Sequence, residues 1–135
     1  MEKMEKANQV LFNEDLHFEH LQWRSELAFW EDELKSFKNR LEELVNRLTD
    51  KKVLVRLEHY QNEFTLHNGI IDNLLEDIEI HETRIAAQTK TGRDMLDTML
   101  TKKHLEFRHR METQRQIYAD LKKEFFRFLT KYYVI

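Results

Sequence analysis

Apolar residues recur at alternating steps of four and three along nearly the whole chain, and that period belongs to helices packed against other helices. The first seam reads Leu16, His20, Trp23, Leu27, Trp30, Leu34, Phe37, Leu41, Leu44, Leu48. The second reads Val53, Leu57, Tyr60, Phe64, His67, Ile71, Leu74, Ile78, His81, Ile85. The third reads Leu100, His104, Phe107, Met111, Gln114, Tyr118, Leu121, Phe125, Phe128, Tyr132. The chain holds no proline and two glycines, Gly69 and Gly92, so it lacks the turn residues that sheets and α/β loops require. The same scarcity removes any Gly-rich phosphate loop, dinucleotide fingerprint or nucleophile elbow. Without cysteine there is no disulfide, thiolate zinc site or cysteine nucleophile.

Two places break the pattern. At Thr49-Asp50-Lys51 either of the first two residues suits a helix N-cap, and at Lys90-Thr91-Gly92-Arg93 the glycine suits the left-handed position beyond a helix end. The expected fold is therefore all-α: an elongated up-down-up antiparallel three-helix bundle with coiled-coil-like packing. Its helices run roughly over 8–48, 52–89 and 93–132 of a single 1–135 domain. The turn dipeptide Asn68-Gly69 supplies an alternative, a four-helix bundle broken near Gly69. Against that break, the second seam passes Gly69 without losing phase.

Centring the turns between Asp50 and Lys51 and between Gly92 and Arg93 aligns the three seams layer by layer. Most layers are apolar, such as Phe37/Phe64/Leu121 and Leu16/Ile85/Leu100. In Leu34/His67/Tyr118 the histidine and tyrosine are expected to hydrogen-bond each other. One layer stands apart, because each helix contributes a histidine to it: His20, His81 and His104. Three converging imidazoles can bind Zn²⁺ or a similar divalent transition metal and leave a fourth position for water. Asp77, four residues before His81, could orient that ring, while His17 and Glu82 sit close enough to support or extend the ligand set. Without metal, the same layer is a polar element that fixes register.

A second pattern overlaps the first. His59-x-x-x-Glu63, Asp77-x-x-x-His81 and His104-x-x-x-x-His109 have a spacing that resembles the hemerythrin-like diiron family. The resemblance implies His59, Glu63, His81 and His104 as iron ligands, with Glu63 bridging. Asp77 and His109 depart from the family's residue types, and the pattern requires the chain to break at Gly69.

The chain carries 22 Lys and Arg against 25 Asp and Glu, a formal net charge of −3, with both signs interspersed at helical spacing. That balance disfavours nucleic acid, which requires a concentration of basic side chains. The first ten residues lack a secretory apolar core and no apolar run is long enough to span a bilayer, so a cytoplasmic location is expected. Near the end of the chain, Phe126, Leu129 and Tyr133 add a second apolar stripe, with Val134 and Ile135 beyond it. This surface is expected to meet a protein partner or another copy of the chain. Membrane contact is the weaker use of it, through Lys122, Lys123, Arg127 and Lys131. The functional expectation is a non-enzymatic interaction or scaffold protein. The alternatives are a zinc-type metal-binding bundle built on the histidine layer and a diiron protein.

Overall fold

The computed structural model describes residues 13–92 and 98–132. They form an all-α, up-down-up three-helix bundle: α1 (Asn13–Arg47), α2 (Lys51–Thr89) and α3 (Thr98–Tyr132), with no strand among the described residues. The expected starts of the first and third helices, near residues 8 and 93, lie outside the described residues. No helix among the described residues is long and apolar enough to cross a membrane.

The seams account for the core. Every buried residue among those described is a seam position; only Leu48, Leu100, Gln114 and Tyr132 of the seams remain partly exposed. Burying a large apolar side chain contributes about 1.5–3 kcal/mol, which outweighs the modest intrinsic helix propensity of the β-branched and aromatic residues here.

The chain divides into two compact units, Met1–Glu26 with Asn73–Thr113 and Leu27–Asp72 with Gln114–Ile135. In the first unit Leu16 and Ile85 are buried against Leu100, the layer that the register requires. The second unit is built on aromatic packing. Phe64 meets Phe125 edge-on at 4.8 Å, and Phe37 lies 5.6 Å from Phe64 and 5.2 Å from Phe125. Tyr60 closes this group, 5.3 Å from Phe125 and 5.2 Å from Phe128. Tilted and edge-on pairs of this kind add about 0.5–1.5 kcal/mol beyond burial.

Asp50 starts α2: its carboxylate accepts from the Lys52 amide at 2.9 Å and its carbonyl from the Leu54 amide at 3.0 Å. Of the two possible caps, Asp50 takes the position because its side chain reaches the second helical amide. At the other end Gly92 adopts φ 85°, where a side chain would be strained, after the Gly92 amide donates to the Thr89 carbonyl at 3.0 Å.

The four-helix alternative is corrected. α2 runs unbroken from Lys51 to Thr89, and Gly69 sits in it on an exposed face. Helical phase wins over local turn preference: keeping His67 and Ile71 buried on one face outweighs the roughly 1 kcal/mol that glycine costs a helix. The diiron pattern, which needed that break, loses its basis. His59 and His109 are exposed and Glu63 is only partly buried. The expected His67–Tyr118 hydrogen bond is also replaced. The Tyr118 hydroxyl donates to Glu33 Oε1 at 3.0 Å, and the His67 ring lies 6.2 Å from the tyrosine ring. A carboxylate is the stronger acceptor, and Lys122 Nζ holds it in place at 2.7 Å. Burial and Glu33 together push the Tyr118 hydroxyl well above its ordinary pKa.

Candidate metal centre

The first unit brings His20, His81 and His104 together, one from each helix, at exposures of 1%, 2% and 0%. One ring nitrogen from each lies within 4.8 Å of the other two, close enough to hold a metal ion. His104 Nδ1 is the hub, 3.3 Å from His20 Nε2 and 3.2 Å from His81 Nε2. A tetrahedral centre with metal–nitrogen bonds of about 2.0–2.1 Å has ligand edges of about 3.3 Å, which the two separations at His104 match. The ring faces are covered by apolar neighbours. Trp23 stacks on His104 at 5.0 Å and Phe107 lies 5.1 Å from His81.

The protons in this layer are constrained. A carboxylate only accepts, so His104 Nε2–H donates to Glu19 Oε1 at 2.6 Å. A neutral His104 then offers one lone pair, on Nδ1, to two neighbouring rings. If both neighbours donate from Nε2, their Nδ1 atoms carry lone pairs; both atoms are buried without a hydrogen-bond partner. A cation among the three rings would satisfy all three converging nitrogens and move the protons of His20 and His81 to Nδ1. For His20 that places an N–H 3.8 Å from Glu82 Oε1. Three imidazoles, with Glu19 behind His104 and Glu82 beside His20, form a donor set that fits a divalent transition metal.

Burial lowers His20 to a pKa of about 4, with the nearby His104 adding to the effect and Glu82 and Glu19 opposing it. His81 is also lowered to about 4, first by burial and then by His104, His20, Lys103 and Arg84. Both rings are thereby kept neutral, the form that ligates metals. Burial alone would raise Glu19, but the hydrogen bonds from His104 and Arg108, the latter at 2.7 Å, bring it down to about 2. Glu82 follows the same logic. Its burial is outweighed by His17 Nδ1 at 2.7 Å and Arg24 Nη2 at 2.7 Å, which hold it below the usual carboxylate range.

The expected support from Asp77 is corrected: its carboxylate accepts from Arg110 Nη2 at 3.0 Å, because a guanidinium is a stronger partner than a neutral ring. Glu82 and His17 do stand beside the layer, and a groove of about 530 Å³ lined by His17, Phe18, Glu82, Ile85, Ala86 and Thr89 reaches His20. Sequence reasoning missed Glu19, Arg24 and Arg108. A signal for two of them existed in the heptad stripes Glu19, Glu26, Glu33 on α1 and Arg108, Arg115, Lys122 on α3. The Glu19–His104–Arg108 arrangement recurs two heptads later as Glu33–Tyr118–Lys122.

Of the sequence-predicted interface, Phe126 is 45% exposed and Leu129 partly buried, while Tyr133, Val134 and Ile135 lie outside the described residues. Comparison of the chain with protein-family models, with curated proteins and with solved structures finds no match in any of the three.

Proposed function

We propose that the protein binds a zinc-type divalent metal through His20, His81 and His104. The observation that carries this reading is the convergence of three buried histidine ring nitrogens within 4.8 Å of one another, with His104 oriented from behind by Glu19. The metal supplies a shared Lewis acid that ties the three helices together. Rings at most 2% exposed, beneath Trp23 and Phe107, favour a resident ion over one that turns over substrate.

Cobalt titration tests the proposal, since Co²⁺ reports its own geometry. Metal-stripped protein should take up one equivalent, with the intense visible absorption of a four-coordinate ion, and Zn²⁺ should displace it. His81→Ala should abolish the spectrum. A six-coordinate spectrum, or uptake that survives His81→Ala, would overturn the assignment.

A non-enzymatic interaction role is the second reading, favoured by Phe126, whose ring lies edge-on to Phe37 at 5.5 Å yet is 45% exposed. Association of copies or a protein partner through this surface should weaken in Phe126→Ser, read by sedimentation equilibrium. An unchanged association state would remove the support.

A further inference from the structure

In a chain with a formal net charge of −3, one groove concentrates positive charge. It lies in the second unit, has a volume of about 550 Å³, and is bordered by Arg56 and His59 of α2 and by Arg127 and Lys131 of α3. Among the described residues, Glu124 is the one acidic residue in its lining. We propose that this groove binds a small anion bearing two or more phosphate groups.

Two of the cations, Arg56 and Lys131, lie over aromatic faces. The Arg56 guanidinium lies over the Phe128 ring at 5.2 Å, and Lys131 Nζ lies 5.2 Å from the centre of the Tyr132 ring. None of Arg56, Arg127 and Lys131 is ion-paired to a carboxylate among the described residues. All three residues are exposed, which puts their N–H groups within reach of a ligand. Two guanidiniums and an ammonium facing one carboxylate leave an excess of about two positive charges, which calls for a multiply charged anion. Guanidinium forks match phosphate oxygens in pairs. By contrast, the cavity bordered by Glu31, Asp32, Asp72, Lys35 and Lys38 offsets its lysines with acids. A concave groove of this volume suits a small molecule. A chain that is acidic overall disfavours a long polyanion.

Inorganic tripolyphosphate is the probe, titrated calorimetrically into the full, metal-stripped chain so that chelation plays no part. Saturable binding is expected, weakening as salt rises. Arg56→Gln combined with Arg127→Gln should weaken it at least tenfold. Both positions are exposed, and thermal unfolding will verify that the double variant folds. Lys35→Gln and His104→Ala should leave the affinity unchanged, which separates this site from the histidine layer. Vesicles containing phosphatidylserine form the second arm. Absence of saturable tripolyphosphate binding, or equal binding by the double variant, would overturn the proposal. Binding to vesicles without binding to tripolyphosphate would also overturn it, and would assign the groove to a membrane surface.

Discussion

Glu19 shows how much a single side chain can decide. It receives His104 Nε2 at 2.6 Å and Arg108 Nε at 2.7 Å, so it fixes the proton on the outer nitrogen of the hub ring and leaves Nδ1 facing the other histidines. Replacing Glu19 with Gln keeps the shape but removes the charge and permits the amide to present N–H instead of oxygen. Metal affinity should fall about 10–100-fold, measured by competition with a chromophoric chelator, while helix content is preserved. Asp77→Asn should leave that affinity unchanged, because Asp77 serves Arg110. The three histidines were legible from spacing alone, since seam phase and turn position place them. Glu19 was harder to read: it sits just outside the seam, where exposed and supporting carboxylates look the same in sequence. Asp77 misled because a four-residue step shows which side chains share a face but not which neighbour outcompetes the other.

Among the elements, α2 carries the clearest contest between local preference and packing. Asn68-Gly69 reads as a turn, yet the helix continues because a reversal would abandon the buried positions on either side. A methyl group built at Gly69 meets nothing within 4 Å, and the residue is exposed and helical. Gly69→Ala should therefore stabilise the protein by about 1 kcal/mol, read as a higher urea midpoint at unchanged slope. A four-helix chain would lose stability from the same change. At the helix start, Asp50→Ala should cost about 1 kcal/mol by stranding the Lys52 amide. The end of α1 and both ends of α2 were legible within a few positions, because caps and left-handed glycines have chemical signatures. The replacement of His67 by Glu33 as partner of Tyr118 was not, since it depends on which carboxylate the parallel helix brings within reach.

For the molecule as a whole, the acid response follows from the buried histidines. His20 and His81 have ordinary values of 6.5 and folded values of about 4. Between those limits the unfolded chain binds more protons than the folded one, so stability is full above pH 6.5 and is lost as pH falls toward 4. Each shift is worth of order 3 kcal/mol, and the losses are not additive because the rings interact. His67, lowered by burial against the pull of Glu63, acts in the same direction. Glu19, at about 2 against 4.5, extends the loss to lower pH. Chemical denaturation of the metal-free protein at pH 7.5 and pH 5 should show the difference. The architecture was legible because one period governs every seam. The chemistry was legible only in part, because proton positions and carboxylate partners depend on distances that no spacing specifies.

The most direct test of the metal assignment is the thermal unfolding of metal-stripped protein with and without Zn²⁺, in parallel with His104→Ala. Zn²⁺ at 100 times its dissociation constant should stabilise the native protein by about 2.7 kcal/mol, and the variant should gain nothing. No shift with Zn²⁺, or an equal shift in His104→Ala, would contradict the account.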